Sequence, residues 1–253
     1  MISTVFLSLR IAGMSGLKGF LIFLGAIVLL GAIVVWWIGP QLLALAFDED
    51  QRSKPLTVLH LSDYRPAQQS LFLARYETPL LDYLRAEGVA LGWHATLEHT
   101  AQGRVMDEWK RLHQLRFNEA AEFIQMVTSS EFRGLSSSDV VYRRLVLGAQ
   151  GDLPDVTAPA VVLILLQSRD ATPGDLTRLT ANLDTYRGEV VWDTPVEVFE
   201  IGAPENWDRV VAIGFATIPD ADGWLRDPGS VTERALAAAR HARMVMLLLS
   251  TQK

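Results

Sequence analysis

The sequence predicts an α+β protein: two tandem β-α-β-β-α-β units behind one transmembrane helix. Three observations predict it. Residues 19–47 carry no charged side chain. The strand-like phrase "EWKRLHQLRF" (108–117) returns 98 residues later as "NWDRVVAIGF" (206–215), with Trp109, Arg111 and Phe117 answering Trp207, Arg209 and Phe215. Around each phrase the hydrophobic period switches between that of strands and that of helices in the same order.

The apolar segment comes first. At 1.5 Å per residue, the 29 residues from Gly19 to Phe47 make a helix of about 43 Å, enough to cross a hydrocarbon layer of roughly 30 Å with some tilt. Trp36 and Trp37 suit the headgroup region at its end, and Pro40 suits the helix exit. Its small residues, such as Gly25 and Gly31, form no strict GxxxG pairing motif. Arg10 and Lys18 before it lean toward an N-terminus on the inner side, so residues 1–47 read as a signal anchor of the cell inner membrane with a periplasmic domain behind it. A cleavage site within "ALAF" (44–47) is the rival reading, and Met14 offers a second start.

Charge and cysteine usage remove several classes of function. Arg10 and Lys18 leave residues 48–253 at −8, against −6 for the whole chain. Phosphate-backbone affinity comes from clustered Lys and Arg, so nucleic acid is not an expected partner. The chain has no cysteine, which excludes disulfides, thiolate catalysis and Cys-ligated metals. There is no P-loop, Rossmann glycine pattern, HExxH or nucleophile elbow.

The elements follow in order. After a charged linker (48–54), residues 55–63 read as a β-branched, Leu-rich strand. Residues 67–88 read as a helix interrupted at Pro79, with Thr78 as a cap and Gly88 as the stop. Residues 89–100 and 108–117 are strands, 118–135 a helix and 144–149 a strand. That closes a first unit over 55–150. After a linker (151–157), a second unit over 158–253 repeats the order. Its first strand, 158–170, is almost wholly apolar. The helix at 172–188 has Thr172 as N-cap, Pro173 in its first turn and a stripe of Leu176, Leu179, Leu183 and Tyr186. Residues 189–202 and 206–215 make a hairpin, 220–242 a helix broken near Pro228, and 243–250 the last strand. Each unit is a ferredoxin-like split βαβ arrangement. Each leaves one sheet face open, so two can bury those faces against each other as an internal pseudo-dimer.

The second unit resembles the dimeric α+β barrel superfamily, and within it a small uncharacterised bacterial family. The likeness is carried by "YRGEVV", "WDRVVAIGF" and "GWLRDP", and more loosely in the first unit by "YLRAEG", "EWKRLHQLRF" and "AAEFIQMVTSSEF". Superfamily members include cofactor-independent oxygenases, haem enzymes and ligand-sensing domains. The resemblance implies the fold without choosing among these activities, and it leaves the cofactor open.

Histidines are the candidate chemistry. Four of five lie in the first unit, and His60, His94 and His113 fall on its first, second and third strands, which are neighbours in this fold. With Arg116 they form the candidate ligand-binding set; no metal set and no catalytic residue is assigned. A hairpin register summing to 207 would bring His94 opposite His113. The sets Trp93, Ala95, Leu97 and Trp109, His113, Leu115, Phe117 favour an even sum, which sends His94 to the face opposite His113. Trp109 and Trp207 read as core anchors. Arg111 and Arg209 can pair with carboxylates or hold an anion. Asp63 and Asp170 end matched strands and suit turns, and Glu98, His99, Glu197 and Glu200 suit sheet edges.

Three readings result. One is a membrane-anchored extracytoplasmic module that binds a small ligand or a partner protein. Another is an oxygenase-like or haem-dependent oxidoreductase working in the first unit. The last is an accessory subunit of a membrane complex.

Overall fold

A computed structural model describes residues 49–103, 109–136, 138–168, 174–196, 199–201, 207–239 and 241–252. Among these no helix is long and apolar enough to cross a membrane. The span expected at 19–47 lies outside them.

The first unit begins with β1 (Leu56–Asp63). The expected helix then divides into α1 (Gln69–Phe72), a π-helical turn (Leu73–Glu77) and α2 (Thr78–Ala86). Pro79 explains the division: it has no N–H to donate, and its ring would strike the carbonyl one α-turn back, so the turn before it widens. Thr78 is helical and makes no cap bond, contrary to expectation. The strands β2 (Ala90–Gln102) and β3 (Arg111–Phe117) follow. The next helix breaks at Ser129, which is extended, into α3 (Ala120–Thr128) and α4 (Ser130–Ser136). The Ser129 hydroxyl accepts from the Phe132 N–H, a local capping bond that helps fix the break. β4 (Arg143–Gln150) ends the unit.

The second unit has β5 (Ala160–Ser168), α5 (Gly174–Leu179), a 3-10 turn (Leu183–Tyr186), β6 (Gly188–Pro195), β7 (Phe199–Ile201), β8 (Arg209–Phe215), α6 (Ile218–Arg226), α7 (Pro228–Ala238) and β9 (His241–Gln252). The helix expected over 172–188 is shorter than its apolar stripe suggests. Asn182 and Arg187 both take left-handed backbone angles and bracket the 3-10 turn; Thr172 and Pro173 lie outside the described residues. The break at Pro228 is as expected, with the Asp227 carboxylate capping α7 at the Ser230 N–H.

The described strands join one antiparallel sheet in the order β6-β8-β5-β9-β2-β3-β1-β4-β7. β6 pairs with β8 of its own unit, whereas β7 pairs with β4 of the other. The two ends of the sheet are therefore consecutive pieces of one stretch of chain, and the sheet curls round to meet itself. β2 behaves in the same way, pairing first with β3 and then with β9. Each unit lends the far end of its second strand to the other unit's fourth. A bulge precedes the crossover in both: between Leu91 and His94, and between Val190 and Trp192.

Strands β1, β3 and β8 are buried on both faces. One apolar core draws on both units, with Leu59, Leu61, Trp93, Leu112 and Leu147 of the first packed with Val161, Leu163, Trp192, Ala212 and Leu247 of the second. Trp93 and Trp192, at matched places beside the two bulges, meet with ring centroids 5.7 Å apart. Trp109 and Trp207 belong to the same core, as anchors. Arg143 lies over the Trp109 ring at 5.1 Å and Arg243 over Trp207 at 5.0 Å, so the repeat extends to a cation on each indole.

Candidate active site: a row of histidines between sheet and helices

The face turned toward the helices differs between the units. In the second it is apolar: Val162, Ile164, Val211, Ile213, Phe215 and Met246 pack with Trp224 and Leu179. In the first, the same face carries polar groups. His60 on β1 lies directly opposite His113 on β3, and His113 directly opposite His94 on β2. The rings form a row, with centroids 6.0 Å apart from His60 to His113 and 6.1 Å from His113 to His94, tilted by 27° and 15°. The matching positions in the second unit's ladders are Ile164, Val211 and Asp193.

This corrects the expected separation of His94 from His113. The register sums to 206 at Leu91–Leu115, the even value that the apolar pattern favours, and to 207 at His94–His113. The bulge between them adds the odd residue. Hydrophobic parity did not reveal it because β3 is buried on both faces, so an apolar residue on that strand marks neither one.

The π-helical turn supplies two more groups. The Tyr76 hydroxyl lies 3.1 Å from His60 Nε2. Glu77 takes Arg111 in a two-pronged pair, with Nε donating at 2.8 Å and a terminal nitrogen donating to the other oxygen. Arg111 also donates to the Thr96 hydroxyl at 2.6 Å. Glu77 and Arg111 are both buried; such a charge pair is retained only with good geometry. The Glu77 carboxylate lies 3.8 Å from His113 Nε2. Of the two roles open to Arg111, the structure gives it the carboxylate. Arg209 likewise pairs with Asp193, on the neighbouring strand rather than on a helix.

Burial sets the protonation. His60 is 6% exposed and His113 is 4% exposed. Desolvation pushes His60 down to about 3, helped by His113 and Arg144, and pushes His113 down to about 4, against the opposing pull of Glu77. His94, half-buried, is lowered as well, mainly by burial. Around neutral pH the row is therefore a set of uncharged imidazoles. Among the described residues neither nitrogen of His113 finds a hydrogen-bond partner, nor does His60 Nδ1.

Arg116 points away from the histidines, three positions beyond His113 and so on the other face. There it meets Asp155 at 3.4 Å and Asp152 at 3.7 Å. Asp63 holds Lys110 and Arg143 in ion pairs at 2.9 and 2.7 Å rather than serving a turn. Glu98 is exposed, and His99 faces Asp222 at 3.5 Å. Asp170 and Glu197 lie outside the described residues. Tyr76, Glu77 and Thr96 were not foreseen. The one clue was Arg111, a buried cation that required an acid from somewhere.

Haem iron takes one axial imidazole nitrogen, and His60 and His113 are too buried to present one: His60 Nδ1 and both nitrogens of His113 are enclosed. Among the described residues no group of three or more His, Asp or Glu is set to hold a metal ion.

The fold is the dimeric α+β barrel, written as a ferredoxin-like tandem in one chain. No protein-family model matches the sequence, and no curated protein matches it. Among solved structures, an anthrone oxidase-like protein superposes with a TM-score of 0.56 over 82% of this chain and 93% of that one, at 9% identity. Chlorite dismutase from Candidatus Nitrospira defluvii, in a variant form, gives 0.43 over 79% and 92% of the two chains, at 8% identity. Likeness at such identity concerns the fold alone.

Proposed function

We propose that the protein is an oxidoreductase of the cofactor-independent, oxygenase-like kind, working at the histidine row of its first unit. The observation that carries this reading is the His94–His113 pair: two neutral imidazoles on one face, one of them half-buried, beside a buried Arg111–Glu77 pair. A neutral imidazole can take a proton from an acidic C–H or O–H. In the reaction proposed, His94 deprotonates an aromatic substrate with an acidic methylene. The carbanion gives one electron to dioxygen, and the resulting carbon radical and superoxide combine. The peroxide takes up the proton and loses water, so that one methylene and one dioxygen become one carbonyl and one water. The oxidase-like name of the fold relative motivates the choice of substrate class. The test is oxygen uptake by purified residues 48–253 with anthrone, recorded alongside a visible spectrum with added haem. Uptake without haem is expected; uptake that appears only with haem would overturn the reading.

The rest of the architecture is proposed with it. Residues 19–47 anchor the barrel to the inner membrane as a single pass, with residues 48–253 periplasmic; the uncharged run of the sequence supports this. The two units act as an internal pseudo-dimer, supported by the exchanged ends of β2 and β7. A second reading is a binding module for a small ligand or for a partner protein in a membrane complex. It is favoured by a groove of about 550 Å³ between α2 and α4, lined by Pro79, Tyr83, Glu87, Glu131 and Leu135. Ligand binding there would be indifferent to His94 and His113, which separates the two readings.

A further inference from the structure

A second polar group gathers at one end of the shared core, under the linker that joins the two units. Gln114 lies opposite Leu59 and Arg116 opposite Thr57, so both project to the core side of β3, away from His113. Thr57 is fully buried and Gln114 is 1% exposed. Both are bonded to the linker. The Thr57 hydroxyl donates to the Gly151 carbonyl at 2.8 Å and accepts from the Leu153 N–H at 3.1 Å, and the Gln114 amide nitrogen donates to the Leu153 carbonyl at 2.9 Å. The Gln114 oxygen is left over: Oε1 is enclosed and finds no hydrogen-bond partner among the described residues. A Cβ on Gly92, within the bulge of β2, would lie 2.7 Å from Gln114 Oε1 and 2.8 Å from Asp155 Oδ1. Two oxygens therefore converge on one spot beside a glycine. Neither can donate to the other, because a carboxylate and an amide oxygen only accept. Turning the amide over would set Oε1 against the Leu153 carbonyl, so the conflict would move rather than vanish.

We propose that this spot binds a calcium ion, held by Gln114 Oε1 and by the carboxylates of Asp155 and Asp152, with water completing the shell. Charge supports it. Arg116 meets Asp155 through the other oxygen, Oδ2, at 3.4 Å and Asp152 at 3.7 Å, both long for charged pairs. Two carboxylates share one guanidinium, so the group keeps a net negative charge. An enclosed acceptor beside a carboxylate is costly unless a donor or a cation faces it. The donors select the ion. All are oxygens, which suit calcium or magnesium rather than zinc or copper. The set is irregular, drawn from a strand and a loop, which calcium tolerates and magnesium, with its near-ideal octahedron, does not. Arg116 opposes the ion and turns toward solvent as it enters, so the site is a weak one, with a Kd on the order of 10⁻⁴–10⁻³ M. The bound ion fastens the linker to β3 at the joint between the units. Trp93 follows Gly92 in the bulge, and Trp192 donates to the Pro154 carbonyl at 3.1 Å, so both indoles of the Trp93–Trp192 contact adjoin the site. The second unit carries Val191, Ala212 and Gly214 at the places of Gly92, Gln114 and Arg116, so the site belongs to the first unit.

The test is a titration of the full-length chain, first stripped of divalent cations with a chelator, with calcium chloride and separately with magnesium chloride at constant ionic strength. Tryptophan fluorescence and melting temperature are followed together. The expected result is a saturable response to calcium, half-complete on the order of 10⁻⁴–10⁻³ M, with a higher melting temperature at saturation and a far weaker response to magnesium. Asp155→Asn should weaken calcium binding by about tenfold, and Arg116→Gln, which removes the competing charge, should tighten it by about tenfold. Both side chains are partly exposed, so neither change disturbs the core, and their opposite directions separate a bound ion from a merely structural role. A water bridging the two oxygens would leave the protein indifferent to calcium. That indifference, an equal response to the two salts, calcium binding unaltered in Asp155→Asn, or binding no tighter in Arg116→Gln would each overturn the site. None of these outcomes bears on oxygen uptake.

Discussion

His94 and His113 face each other across β2 and β3 with their ring centroids 6.1 Å apart. A bulged residue in β2 puts them there. Because His113 also faces His60, one strand couples three imidazoles that are far apart in sequence, and the chemistry of each depends on its neighbours remaining uncharged.

That dependence predicts an acid sensitivity. His60 and His113 titrate at about 3 and about 4 in the folded protein, against an ordinary 6.5. Above pH 6.5 neither the folded nor the unfolded chain carries these protons, and the contribution of the pair to stability is fully present. As pH falls below 6.5 the unfolded chain takes up protons that the folded one refuses. Stability therefore declines between pH 6.5 and about 3, by an amount on the order of several kcal/mol. Urea unfolding at a series of pH values should show this decline. Replacing His60 by Ile and His113 by Val together, the pair the second unit carries, should flatten it. An equally steep profile in that variant would contradict the assignment.

The Arg111–Glu77 pair predicts a large one-sided cost. Glu77→Ala would leave a buried guanidinium without its acid, which costs about 3–5 kcal/mol. Replacing Arg111 and Glu77 together by apolar residues should cost less than Glu77→Ala alone. Equilibrium denaturation of the two variants decides this; equal costs would mean that Arg111 reaches water or another acid.

Arg116 and Gly214 occupy matched positions and predict opposite sensitivities. A Cβ on Gly214 would lie 2.8 Å from the Ala158 Cβ and 3.1 Å from Val191, too close for a packed core. Gly214→Ala should destabilise by about 1–3 kcal/mol. Arg116 is partly exposed, with two long ion pairs, so Arg116→Ala should change stability by less than about 1 kcal/mol. Thermal melts of the two variants provide the comparison.

The Trp93–Trp192 contact joins the two units inside the shared core. Trp192→Ala should cost about 3–5 kcal/mol and lower the unfolding transition of the whole barrel at once. A variant in which the first unit melts separately and unchanged would show that the two units do not share one core.

Much of this architecture was legible in the sequence. The repeat of Trp, Arg and Phe at 109, 111 and 117 and again at 207, 209 and 215 marked the third strand of each unit, and glycine and proline placed most turns. The contrast between His113 and Val211 pointed to the unit that holds the polar site. Three features were not legible. The bulge before His94 leaves no trace in hydrophobic parity because its partner strand β3 is buried on both faces. The π turn that brings in Tyr76 and Glu77 depends on how Pro79 is accommodated within a continuing helix. The left-handed backbone at Asn182 cuts short a helix whose apolar stripe runs on past it.

The most direct test of the site is to make the first unit resemble the second at one position. His113→Val introduces the residue that stands at Val211, and oxygen uptake with anthrone would be compared between that variant and the unmodified protein, with melting temperature as the control for folding. A folded variant that has lost uptake is the predicted result; a folded variant that consumes oxygen at the original rate would contradict a histidine-based site in the first unit.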